Sequence, residues 1–197
     1  MTMTSMNPFF TTFFLIFVRF MAAQRIWETF WRKKGRKGTI VRKWTFPLLS
    51  TLHFTVGIGT VVEYFLVQRP INLGIAFLGL LMFSSALILR RRVIETLGEF
   101  HSVHIAIREE HPLIGEGPYR YLRHPYYVIV ILELLGFPLV ANAFYAFFFS
   151  LLVYLPVLFL RVFFEEKAME EKFGDEYLKF RSETPGFLPL RVQGKNS

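Results

Sequence analysis

The chain has 197 residues, 53% of them hydrophobic and 24 of them phenylalanine, with a mean hydropathy of +0.38; a soluble domain of that length carries less apolar side chain. No cysteine occurs, which excludes a disulfide framework, a thiolate metal site and a cysteine nucleophile. The formal charge of +8 sits on cations that flank apolar runs instead of forming one aromatic-interleaved stripe, so membrane lipids are expected partners and nucleic acid is not.

Five apolar segments approach the roughly 20 residues a helix needs to cross about 30 Å of hydrocarbon. Residues 8–23 form a short one, interrupted by Arg19, without the flanks of a removable signal peptide. The block "RKKGRKG" at 32–38 follows it and reads as a topology determinant against lipid head groups, or as a partner-binding patch. Residues 44–67 and 71–89 are separated by the turn-like "QRP", which makes them antiparallel neighbours. Residues 126–141 and 143–164 meet at Asn142, which predicts a tight helical hairpin. Helix fits all five, because isolated strands cannot satisfy their backbone in lipid and the apolar pattern does not alternate as in a barrel. The tail from 165 to 181 sets Met169, Phe173, Tyr177 and Phe180 on one helical face, suited to lying on the membrane or closing over the preceding polar loop.

Charge asymmetry orients these segments. Arg25, Arg42, Lys43 and the 32–38 block precede the second; Arg90, Arg91, Arg92, Arg108, Arg120 and Arg123 lie between the third and fourth; only Arg69 lies on the other side. The positive-inside rule then predicts cytoplasmic loops and tail with the N-terminus outside, as an odd number of spans requires. The expected fold class is an all-α, polytopic membrane helical bundle of about five transmembrane helices with a C-terminal amphipathic helix. Its natural division is 1–96, the first helices and basic loop, and 97–197, the polar loop, hairpin and tail.

Polar chemistry gathers in the second half. Glu165 and Glu166 end an apolar run, where an unpaired carboxylate is costly unless it faces water or a cation; Arg161, one turn earlier, could pair Glu165. His124 and Pro125 open the fourth segment, and a first-turn proline leaves amides aimed at the loop, a start friendly to anions. Arg123 offers a planar fork for a carboxylate or phenolate. Tyr119 and Tyr121 fit either a site or an interfacial anchor. Glu133, seven residues after Tyr126 on the same face, is an ionisable group inside an apolar segment: either functional, or a hydrogen-bond donor between helices. His101 and His104 stand three apart with no third ligand at an obvious spacing, so no metal is expected. Gly115 and Gly117 mark a turn and not a nucleotide fingerprint.

The run "GPYRYLRHPYY", a helical hairpin, and then "RVFFEEKAMEEKFGDEYLKFRSETPGFLP" together resemble the isoprenylcysteine carboxyl methyltransferase family of integral membrane enzymes, over residues 97–189. The resemblance implies a cytoplasmic loop that binds S-adenosyl-L-methionine and a lipophilic or prenylated acceptor that arrives from the bilayer and is methylated on oxygen. On this basis Tyr119, His124, Pro125, Tyr127, Arg161, Glu165 and Glu166 are expected to bind the cofactor. Arg123, Tyr126 and Glu133 are expected at the acceptor, with Arg123 and Glu133 as catalytic groups. An anionic carboxylate acceptor needs orientation and exclusion of water more than a base; a neutral hydroxyl would need one, with His101, His104, His124 or Glu133 as candidates. The family usually reads "RHPSYxG" where this chain has "RHPYYVI", so Tyr126 and Ile129 narrow or redirect the acceptor path. "ELLG" and "NAFY" are similar to bacterial members that methylate alkylpyrone-like lipids. Two alternatives stay open: a nicotinamide-dependent membrane reductase, since sterol reductases are similar in the "RHP" and aromatic loop, and a non-catalytic lipid- or partner-binding membrane protein. The membrane would be the inner or plasma membrane in a prokaryote and the endoplasmic reticulum in a eukaryote.

Overall fold

The computed structural model describes residues 7–30, 39–40, 42–98, 106–107 and 113–188. The 32–38 block, the His101/His104 pair and the last residues from 189 on lie outside the described residues. The helices are α1 (Pro8–Phe30), α2 (Thr45–Val67), α3 (Leu73–Leu97), α4 (Pro125–Val140), α5 (Phe144–Phe149), α6 (Leu155–Phe173) and α7 (Asp175–Glu183). Two-residue strands β1 (Thr39–Ile40) and β2 (Ala106–Ile107) pair antiparallel, which ties the loop after α1 to the loop after α3 at one end of the bundle.

Of the five apolar segments, three are helices long and apolar enough to cross a membrane: Thr45–Val67, Leu73–Leu97 and the rod Phe144–Phe173. Pro8–Gln24 within α1 and Pro125–Val140 are shorter apolar helices. Helix α4, with 16 residues, extends about 24 Å and is hydrophobic on every side. It therefore sits inside the bundle, with Ile129, Leu134, Phe137 and Val140 buried, while Phe54, Ile58, Phe77, Leu81 and Ile88 of α2 and α3 form an exposed apolar surface suited to lipid. The protein is an integral membrane helical bundle.

Two glycines decide how closely α3 and α4 approach. A Cβ on Gly79 would lie 2.6 Å from the Gly136 carbonyl oxygen and 2.6 Å from the Val140 nitrogen; one on Gly136 would lie 2.9 Å from the Gly79 oxygen. Small residues facing each other let helix backbones meet where apolar burial gives no net drive for association in lipid. Above this crossing Phe83 packs edge-on against Phe17 of α1, centroids 5.0 Å apart, and Phe14 meets Tyr64 of α2 at 4.5 Å.

The end opposite the β1–β2 pairing is closed by polar groups. Asn142 turns the hairpin with a left-handed backbone (φ +53°), and its Oδ1 accepts from the Asn72 N–H at 2.9 Å while Asn72 Oδ1 caps α3 at Ile75. Glu63 of α2 accepts from the Tyr145 and Ala146 amides in the first turn of α5, at 3.0 and 2.9 Å, and pairs with Arg69. A carboxylate at a helix N-terminus is a favourable arrangement.

Helices α5 and α6 form one rod through a π turn at Ser150–Tyr154, so the final apolar helix continues through Glu165 and Glu166 to Phe173. The single amphipathic face expected over 165–181 is instead broken at Gly174, whose φ of +53° ends the rod and starts α7 in a new direction. Met169 and Phe173 stay on the rod, and Tyr177 is buried from α7.

Gly79→Ala is expected to lower stability by about 1–3 kcal/mol, the cost of overpacking against backbone that cannot yield. The same change at Gly57, around which nothing lies within 4 Å, should be neutral or slightly stabilising. Thermal unfolding of both variants in detergent checks this; equal melting temperatures would show that the crossing tolerates a methyl group.

Candidate functional site

Four pieces of chain meet where α4 begins: the turn before it, the end of the long rod, the start of α2 and the segment after α7. Pro125 occupies the first turn of α4, where its missing N–H costs nothing, and His124 is the cap residue. The amides of the two residues just before the helix are used to hold another segment. Arg123 N–H donates to the Pro185 carbonyl at 2.9 Å and His124 N–H to that of Gly186 at 3.1 Å, so the 184–188 segment runs as a strap across the mouth of α4. Phe187 of the strap lies over the His124 ring, centroids 5.5 Å apart, and edge-on to Phe159 of α6 at 5.2 Å.

Glu166 collects the charges. Its Oε1 receives Arg123 Nε at 3.1 Å, Arg123 Nη2 at 2.9 Å and His124 Nε2 at 2.8 Å. Arg123 Nη1 reaches the other way, to the carbonyls of Arg181 at 2.8 Å and Thr184 at 2.6 Å. The guanidinium expected to face an incoming anion thus joins Glu166 to the strap through most of its donors. A planar fork can satisfy both sides at once; an ammonium cannot.

Glu165 enters a second, deeper chain. Tyr127 Oη donates to Glu165 Oε2, and Arg161 Nε donates to Tyr127 Oη at 2.9 Å. The pairing of Arg161 with Glu165 suggested by their spacing is therefore relayed by a tyrosine from another helix. Arg161 Nη1 continues to Thr45 Oγ1 at 3.1 Å. Among the described residues, Glu165 Oε1 has no hydrogen-bond partner and Glu166 Oε2 meets only Arg181 Nε, at 3.9 Å. Two partly buried carboxylates thus each keep one oxygen for a cation or a hydroxyl.

Tyr119 packs toward α3 with Leu97, Tyr126 and Ile129, and burial, reinforced by the charge of Glu165, pushes its hydroxyl above the ordinary phenol range. Tyr177 is raised the same way, by burial first and then by Glu166. Both phenols remain protonated donors at neutral pH. Tyr121 is exposed.

Glu133 stands apart from this cluster. It lies eight residues beyond Pro125, about 12 Å deeper along α4. There it forms a forked ion pair with Arg90 of α3, Nε to Oε1 at 3.1 Å and Nη2 to Oε2, with side-chain exposures of only 3% and 2%. The Arg90 guanidinium lies 5.6 Å from the Tyr126 ring centroid, and Ile129 is fully buried beside Ala86 and Val93. The two departures at "YYVI" accordingly fill the α3 side of α4. Arg90, Thr45, Thr184 and Phe187 escaped notice in the sequence. Phe187 had a signal, since "PGFLP" belongs to the C-terminal motif; Thr45 had none.

A family model described as the isoprenylcysteine carboxyl methyltransferase (ICMT) family matches residues 77–171. The Protein-S-isoprenylcysteine O-methyltransferase of Schizosaccharomyces pombe is 26% identical over 192 residues, which is 90% of this chain and 77% of that protein. The Bacillus subtilis protein YpbQ is 29% identical, covering 64% of this chain and 74% of its own length. An uncharacterized Haemophilus influenzae protein is 32% identical, covering 64% and 73%.

Arg123→Lys keeps the charge and loses the fork, so the strap should loosen while the bundle stays intact. Hydrogen exchange is expected to quicken at the Arg123 and His124 positions and across 181–188, by about tenfold or more for the loss of hydrogen bonds worth about 1.5–3 kcal/mol each. Amides around Gly79 and Gly136 should keep their protection. Unchanged exchange in the strap would refute the tether.

Proposed function

The chain belongs to the isoprenylcysteine carboxyl methyltransferase family, and from that premise we propose that this membrane methyltransferase transfers a methyl group from S-adenosyl-L-methionine to a carboxylate oxygen of a prenylcysteine-type lipophilic acceptor. The observation that carries this reading is the meeting of Glu165 and Glu166 with Arg123, His124 and Tyr127 in one hydrogen-bonded cluster at the start of α4, two carboxylate oxygens being left for a ligand. The residues fit a sulfonium amino acid nucleoside by chemistry. Glu165 and Glu166 offer negative charge to its ammonium and ribose hydroxyls, and the aromatic cluster of His124, Phe187 and Phe159 offers ring faces and edges to its base. When bound, the donor supplies an electrophilic methyl on a positively charged sulfur.

The chain's own part is to bind, orient and keep water out. An acceptor carboxylate is already anionic, so its oxygen needs alignment within reach of the methyl and no base. Arg123 sets the direction of Glu166, and the one N–H that its bonds to Glu166, Arg181 and Thr184 leave over is a donor that an acceptor anion can use. His124 supports Glu166 from the other edge. Tyr126 and Glu133 are assigned to the α3–α4 seam, because Arg90 engages both. The excess of cations on the loops and tail favours a cytoplasmic site.

Purified protein in lipid nanodiscs should be stabilised by S-adenosyl-L-methionine and not by NADPH; a ligand at a hundred times its Kd adds about 2.7 kcal/mol. With N-acetyl-S-farnesylcysteine as acceptor, methyl ester should form, and Glu166→Gln should raise the donor KM by about tenfold or more, the worth of a lost charged contact. Stabilisation by NADPH alone, or no ester from any prenylated carboxylate, overturns the proposal.

A further inference from the structure

We propose that Thr45, in the first turn of α2, is a positioning residue of the donor site: it fixes the Arg161 guanidinium, which in turn sets Tyr127 against Glu165. The proposal rests on the donor site described above. Its starting point is a buried cation. Arg161 is 6% exposed on a membrane helix, a setting in which each N–H left without an acceptor is costly. Thr45, 3% exposed, supplies one of those acceptors, its Oγ1 lying 3.1 Å from Arg161 Nη1.

The chain of bonds has one direction. The Thr45 hydroxyl proton is committed to the Arg42 carbonyl at 2.9 Å, so its oxygen turns lone pairs to Arg161. Arg161 Nε then occupies the acceptor side of Tyr127 Oη at 2.9 Å, and the single phenolic proton is left to Glu165 Oε2. That bond orients Glu165 and leaves Oε1 to the ligand. A second grip holds α2 here without the hydroxyl: Trp44 meets Phe164 edge-on at 6.0 Å, and the Arg42 guanidinium lies 5.1 Å from the same ring. Phe164 directly precedes Glu165. Residue 45 also lies outside the 77–171 family match, so the N-terminal part of the chain contributes a residue to the site.

Thr45→Val keeps the shape and removes the hydroxyl; Thr45→Ser keeps the hydroxyl. S-adenosylhomocysteine affinity by calorimetry, the donor KM and kcat, and the melting temperature of the unliganded protein are measured for both full-length variants. The valine variant should lose about tenfold in affinity and show a donor KM raised about tenfold, with kcat within about twofold, as one hydrogen bond to a charged group implies. Serine should restore affinity to within about twofold. Thr45→Val added to Tyr127→Phe should weaken binding no further, because both cut one relay. Wild-type affinity in the valine variant, or serine as weak as valine, overturns the proposal; so does a lower melting temperature with unchanged affinity, which assigns Thr45 to capping α2. If valine does not fold, Thr45→Ala is judged on the same readings. Absence of S-adenosylhomocysteine binding to the wild type removes the donor reading and this proposal together, whereas loss of the Thr45 effect alone leaves the donor reading standing.

Discussion

A charged side chain enclosed in an apolar bundle has to meet its counter-group within the protein, and that requirement sets the register of these helices. Arg90 and Glu133 are the deepest case: two ions with almost no exposure, joined as a fork between α3 and α4. Desolvating each ion costs several kcal/mol, and removing one partner leaves the other uncompensated. A slip of α3 along α4 would therefore strand both. The glycine crossing at Gly79 and Gly136 fixes how close the two helices come, and the ion pair fixes where along their length they stop.

The same requirement gives the two ends of the bundle different characters. At the far end, Glu63 has Arg69 and two amides of α5, and Asn142 has Asn72 on both its oxygen and its nitrogen, so the polar groups answer one another. At the near end the balance is incomplete. Glu165 and Glu166 are adjacent on one helix, are drawn to different partners, and each retains an oxygen among the described residues with no close donor. Incomplete satisfaction at a half-buried site is what distinguishes a place for a ligand from a staple.

That near end is assembled from segments far apart in the chain. The turn at Arg123 and His124 and the rod end at Glu165 and Glu166 lie within the family match, whereas the strap at 184–188 and the start of α2 lie beyond it on either side. The strap is held chiefly by main-chain carbonyls, so many side chains could occupy its positions without altering the bonds. Even at Gly186 a Cβ would make ordinary contact, 3.6 Å from Arg123 Nη2 and 3.9 Å from His124 Cδ2, the two groups that hold Glu166.

Hydropathy is a property of each residue and its neighbours, and so the sequence by itself determined the apolar segments, the hairpin at Asn142, the helix start at Pro125 and the all-helical membrane class. The pairing of "RHP" with the double glutamate was also legible, through the resemblance those motifs carry. Only the tertiary structure decided who answers each charge: Glu133 with Arg90, Glu165 through Tyr127 to Arg161, and Arg123 with the strap. These partners lie dozens of residues apart, and a hydrogen bond across such a distance leaves no periodicity in the chain. The break at Gly174 was hidden for a related reason: the spacing of Met169, Phe173, Tyr177 and Phe180 suits one continuous helix, and a single positive φ redirects it.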